Sequence, residues 1–206
     1  MSAARLFVVL GGARSGKSRI AEALALELAR PGRPCYLATG EAMDAEFRRR
    51  IEAHRESRGE MFSTLEEPLQ IDVAATQALE RDRVCLLECL TTWLGNVCFR
   101  HPTEFETSAL AVIDSLLHGL GKNLVKSDPL ERLMAADKLP SPPLQKILAD
   151  RRPALVVVAG QLGQGIIPME ASLRAFQDLH GLITEKLCSS ADGVWTVEAG
   201  QPRRCR

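Results

Sequence analysis

Aromatic side chains are scarce: Phe, Trp and Tyr together make up 4% of the 206 residues, with a single tyrosine among them. Neither sign of charge is in excess, since 26 lysines and arginines stand against 26 aspartates and glutamates. These two deficits exclude the ordinary equipment of a nucleic-acid binder, a basic surface with rings on which bases stack, and leave no global attraction to an anionic membrane. No apolar stretch approaches the length that crosses a bilayer, and no signal-peptide pattern precedes the first apolar run, so the expectation is a cytoplasmic protein without membrane partners. Six cysteines, at positions 35, 85, 89, 98, 188 and 205, include no C-x-x-C pair, and four histidines complete the supply of soft ligands. Neither a disulfide framework nor a zinc site is indicated, and the thiols read as small buried hydrophobes. The length suits one α/β domain spanning residues 1–206.

What the chain does have is Gly11-Gly12-Ala13-Arg14-Ser15-Gly16-Lys17-Ser18, directly after the apolar run Leu6-Phe7-Val8-Val9-Leu10 and directly before a helix-compatible stretch. This is the phosphate-binding P-loop pattern in its proper context. Glycines let the backbone curl so that successive N–H groups face phosphate oxygens. The helix N-terminus adds its positive end, and Lys17 adds a mobile ammonium. Ser18 is the expected ligand of Mg²⁺.

Downstream, Ile20, Leu24 and Leu28 recur at helical spacing up to the stop Pro31-Gly32, and residues 35–38 read as a short strand. A charged helix is expected over 44–58 and another over 71–81, followed by an apolar strand at 84–87 that ends in Glu88. Later come a buried strand at 154–159, a long helix at 170–188 and a strand at 194–197. This alternation predicts an α/β fold of the P-loop nucleotide-binding type, with a mostly parallel central sheet and helices on both faces. Residues 100–143 interrupt the pattern, because Pro102, Pro129, Pro140, Pro142 and Pro143 bracket a single amphipathic helix over 108–120. The stretch is expected to be an insertion or mobile excursion, either a plain surface connection or a substrate lid.

Two further residues suggest chemistry. A carboxylate at the carboxyl end of a parallel strand beside a P-loop is placed to order Mg²⁺, which makes Glu88 the second expected metal ligand. On the helix expected over 44–58, Met43, Phe47, Ile51 and His54 form one stripe, so the imidazole points toward the body of the protein. Arg50 and Arg58 lie one turn to either side and disfavour imidazolium. A neutral imidazole can attack phosphorus and carry a covalent phosphoramidate; the other reading of His54 is a packed core histidine.

The wording and order of these motifs resemble the bifunctional adenosylcobinamide kinase/adenosylcobinamide-phosphate guanylyltransferase family of cobalamin biosynthesis. The resemblance rests on the P-loop as written above and on Tyr36-Leu37-Ala38-Thr39 with Asp44-x-Glu46. It continues through Arg50-Ile51-x-x-His54-Arg55-x-x-Arg58, Thr64-x-Glu66-x-Pro68, Leu86-Leu87-Glu88-Cys89-Leu90-Thr91-Thr92-Trp93-Leu94-x-Asn96 and Gly163-x-Gly165-Ile166-Ile167-Pro168. It covers residues 5–99 and 153–202 and skips the stretch between. The family resemblance implies that His54 is guanylylated by GTP with release of pyrophosphate, and that GMP then passes to adenosylcobinamide phosphate. It also implies phosphorylation of adenosylcobinamide with ATP or GTP, both activities at the P-loop with Mg²⁺, and a homotrimer. By the same resemblance Ala38, Thr39, Gly40, Arg55, Glu56, Ser57, Arg58 and Glu66 line the guanine-nucleotide site.

The chain departs from the family pattern in its C-terminal half, with Gly160-Gln161 where members usually carry Asn-Glu and Thr184-Glu185 where an Asn-Gln pair is usual. GTP use and guanylylation of His54 are expected to persist, while kinase activity and corrinoid specificity stay open. Two other readings stand beside this one: a different P-loop kinase or nucleotidyltransferase with a structural His54, and a nucleotide-binding regulatory protein without turnover.

Overall fold

A computed structural model describes residues 3–41, 49, 59–122, 143–165 and 167–205. The chain begins with β1 (Arg5–Gly11), α1 (Lys17–Ala29) and β2 (Cys35–Ala38), and resumes with a 3-10 turn at Gly59–Met61, β3 (Ser63–Glu66), α2 (Ile71–Asp82) and β4 (Val84–Glu88). Then follow α3 (Leu90–Arg100), α4 (Phe105–Gly119), α5 (Leu144–Ala149), β5 (Ala154–Gly160), α6 (Ala171–Ser190), β6 (Gly193–Glu198) and β7 (Gln201–Arg204). The seven strands form one sheet in the order β3-β2-β4-β5-β1-β6-β7, in which only β7 runs antiparallel to its neighbour.

The expected α/β fold with a mostly parallel sheet is therefore present, and the strand sequences show why. In a parallel sheet covered on both faces, alternate residues of one strand enter different cores. Leu6 and Val8 of β1 pack with Leu155, Val157, Cys85 and Leu87 beneath α2, α3, α4 and α6. Phe7 and Val9 face the other way, with Val156, Val158 and Leu86, against Ala21, Ala25 and Leu28 of α1 and Ile147 of α5. Continuous apolar runs at β1, β4 and β5 are the consequence.

One expectation gives way. The first part of the 100–143 stretch is not an excursion: α4 buries Ala109, Ile113, Leu116 and Leu117 within the core, so its apolar stripe seals that face of the sheet. Residues 123–142 lie outside the described residues, as does the helix expected over 44–58 apart from Arg49. Among the described residues, no helix is long and apolar enough to cross a membrane. All six cysteines carry free thiols.

Trp93 of α3 anchors the larger core. It is fully buried and its indole N–H donates to the Leu69 carbonyl at 2.8 Å. Trp93→Ala is expected to cost about 3–5 kcal/mol of stability, read as a lowered urea midpoint with an unchanged slope.

Candidate active site

All parallel strands present their carboxyl ends at one edge, where ligands bind in open α/β sheets. β1 delivers Gly11 to this edge, in register with Gly160 at the end of β5. β2 delivers Ala38, which pairs with Glu66 of β3 on one side and Glu88 of β4 on the other. Three of the expected residues thus form a row along the sheet edge.

The P-loop is shaped by backbone demands that glycine meets. A Cβ at Gly11 would lie 2.8 Å from the Val197 carbonyl oxygen, so a side chain there would force β1 away from β6. Gly16 has φ 91° and stands at the N-terminus of α1, a left-handed conformation that L side chains resist. The Ser15 N–H donates to the Gly12 carbonyl at 3.3 Å, and the Gly200 N–H, from the β6–β7 turn, donates to the Ser15 carbonyl at 2.8 Å. Lys17 Nζ donates back to the Gly12 carbonyl at 3.2 Å, which holds its charge over the loop. Ala13 and Arg14 form the exposed tip.

From the first turn of α1, the Ser18 hydroxyl donates to Glu88 Oε1 at 2.8 Å. Hydroxyl and carboxylate lie 70 positions apart in the chain, and the fold brings them to hydrogen-bond distance beside the loop. Next along the chain, Cys89 caps α3 and its thiol accepts from the Thr92 N–H. Burial, and then the charge of Glu88, push the Cys89 thiol pKa up, so it stays protonated and is no nucleophile.

Thr39 also stands at this edge. It is fully buried, its N–H donates to the Glu88 carbonyl at 3.1 Å, and its hydroxyl accepts from the Cys89 N–H at 2.9 Å. Its own carbonyl accepts from Asn96 Nδ2 at 2.7 Å. With its hydrogen-bonding groups committed in this way, Thr39 braces the ends of β2 and β4 against each other. Gly40 follows it at the same edge, half-buried. His54, Arg55, Glu56, Ser57 and Arg58 lie outside the described residues.

Sequence reasoning passed over a buried cluster behind the loop. Thr91 Oγ1 accepts from the Gly160 N–H at 2.9 Å and meets His180 Nε2 at 3.0 Å. Burial lowers the His180 pKa, which keeps the ring neutral. A hollow of about 630 Å³ lies at the opposite end of the sheet, lined by Arg83, Asp150, Arg151 and Arg152. Asp150 neutralises Arg152 there at 2.7 Å, and Arg83 donates to the Arg151 carbonyl, so the cations of this hollow are committed within the fold.

A glycine loop between a parallel strand and a helix, with a hydroxyl and a carboxylate side by side at its mouth, defines a P-loop nucleotide-binding protein. The particular family follows from comparison with known proteins. The CobU family model, cobinamide kinase / cobinamide phosphate guanyltransferase, matches residues 7–205, and the chain belongs to this family. It is 33% identical over 202 residues to the bifunctional adenosylcobalamin biosynthesis protein CobU of Salmonella typhimurium, covering 95% of this chain and 96% of that protein. The Escherichia coli protein of the same name is 30% identical over 200 residues, covering 95% and 96%. Protein CobP of Pseudomonas aeruginosa, also described as a bifunctional adenosylcobalamin biosynthesis protein, is 31% identical over 195 residues, covering 95% and 94%. The resemblance drawn from the motifs is borne out.

Proposed function

We propose that this member of the family phosphorylates adenosylcobinamide and transfers GMP from GTP to adenosylcobinamide phosphate, the second step passing through a guanylyl group on His54. The observation that supports it most is the 2.8 Å contact of Ser18 with Glu88 at the mouth of the P-loop. A hydroxyl and a carboxylate are the hard oxygen donors that Mg²⁺ takes from a protein when triphosphate oxygens and water complete its shell. Ser18 and Glu88 would hold the ion, which when bound supplies neutralisation of charge on the phosphates.

The chain's own groups carry the rest. Loop N–H groups and Lys17 grip the phosphates, and a neutral nitrogen of His54 forms a bond to the α-phosphorus as pyrophosphate departs with the electrons of the broken P–O bond. A phosphate oxygen of the acceptor then attacks the same phosphorus, and the electron pair of the P–N bond returns to the imidazole. Arg50, Arg55 and Arg58 offset the charge of the transition state, and Glu66 takes part in holding the guanine base. In the kinase step a hydroxyl of adenosylcobinamide bonds to the γ-phosphorus of ATP or GTP at the same loop, ADP or GDP departs with the electrons of the broken β–γ P–O bond, and the hydroxyl proton passes to solvent. The proposed working form is a homotrimer in the cytoplasm, a compartment consistent with six free thiols.

The test is incubation of the purified protein with Mg²⁺ and GTP labelled at the α-phosphorus, followed by denaturation and intact-mass analysis. An acid-labile GMP adduct is the expected result. Bound nucleotide with no adduct would overturn the covalent route and leave a conventional P-loop kinase.

A further inference from the structure

The cluster behind the P-loop joins three elements through one hydroxyl. Thr91 stands in the first turn of α3, three residues after Glu88. Its Oγ1 accepts from the Gly160 N–H at 2.9 Å and lies 3.0 Å from His180 Nε2 of α6, while His180 Nδ1 lies 3.4 Å from Thr184 Oγ1. His180 is 2% exposed, and its ring lies 6.3 Å from that of Phe176.

Two features make this arrangement more than packing. A Cβ at position 160 would lie 2.9 Å from Thr91 Oγ1, so the hydroxyl occupies the space that any side chain there would take. The observed rotamer of Thr91 therefore requires glycine at 160. Secondly, Gly160 pairs with Gly11 at the start of the P-loop, and the Gln161 N–H donates to the Gly11 carbonyl at 3.0 Å. The loop is thus tied to Thr91 through β5. The carboxylate that meets Ser18 is tied to Thr91 through a single turn of backbone. Both halves of the phosphate site converge on this hydroxyl, and the imidazole is the group that fixes it from behind.

We propose that His180 is a positioning residue for phosphoryl and nucleotidyl transfer: by holding Thr91 it sets Glu88 relative to the P-loop. Without the imidazole the threonine loses the partner on its far side and can leave the rotamer that bonds Gly160. A displacement of about 1 Å at a group that orders phosphates is enough to cost rate while leaving ground-state binding largely in place. The inference rests on the proposed transfer chemistry only for its kinetic consequence; the mechanical one stands by itself.

The experiment compares wild type with His180→Ala, His180→Gln and His180→Asn by two readouts. The glutamine side chain reaches the position of Nε2 and can bond Thr91, whereas asparagine reaches only the position of Nδ1. In amide hydrogen exchange, which needs no turnover, the turn from Glu88 to Thr92 is expected to lose protection about tenfold in His180→Ala and His180→Asn and to regain it in His180→Gln. In steady-state assays kcat is expected to fall about tenfold in the same two variants, with KM for GTP within about threefold and recovery in His180→Gln. Unchanged exchange in His180→Ala overturns the inference. So does a set of rates that follows the melting temperatures of the three variants rather than their ability to bond Thr91. If wild type transfers nothing yet the exchange pattern appears, the proposed function fails and the positioning role survives.

Discussion

His54→Ala is expected to abolish the acid-labile GMP adduct and to reduce GMP transfer by about 10⁴-fold or more, the scale seen when a covalent nucleophile is removed. Phosphorylation of adenosylcobinamide should stay within about threefold of wild type, because the γ-phosphoryl group goes directly to the acceptor hydroxyl. The separation of the two losses carries the information. Loss of both activities would mean that residue 54 holds the shared nucleotide rather than receiving part of it. Loss of neither would make His54 a packed core residue, the second reading that its helical stripe allowed. Intact-mass analysis after denaturation, with a coupled assay of each half-reaction, distinguishes these outcomes.

Lys17→Ala is expected to lower both activities together, each by about 10²–10³-fold, the cost of removing one preorganised charge from a phosphate-transfer site. Its ammonium is already held over the loop at the Gly12 carbonyl, so little reorganisation precedes its contact with phosphate oxygens. The effect belongs in kcat/KM for both substrates because the same triphosphate cradle serves both reactions. If one activity survived at the wild-type rate, that activity would use a nucleotide site other than the P-loop, and the single-site account would fall.

Much of this arrangement was legible in the residues, for a physical reason. Curling a backbone around phosphate demands glycines at fixed places, and a strand buried on both faces demands an unbroken apolar run, so Gly11, Gly16, β1, β4 and β5 announced themselves. The edge strands did not. β3 reads Ser-Thr-Leu-Glu and alternates half-buried with exposed, and β7 reads Gln-Pro-Arg-Arg with most of its length in solvent. Pairing with a neighbour, rather than composition, makes them strands. α3 carries a readable stripe of Leu90, Trp93, Leu94 and Val97, but Thr91, Thr92, Gly95 and Asn96 between them are weak helix formers that obscure it. Thr91 and His180 were silent for another reason: they are 89 positions apart, and no local pattern links a helical threonine to a histidine on a distant helix.

The turn between β6 and β7 supports the P-loop from near the far end of the chain, through the Gly200 N–H and the Ser15 carbonyl. β1, the strand that launches the loop, is itself flanked by β5 and β6, both late in sequence. A ribosome therefore releases the phosphate cradle well before the β5, β6 and β6–β7 segments that scaffold it. At about 5–20 residues per second, the loop waits roughly ten to forty seconds for the segments that complete it. Nascent chains stalled before β6 consequently lack a finished nucleotide site, and both edges of β1 stay unpaired until β5 and then β6 emerge.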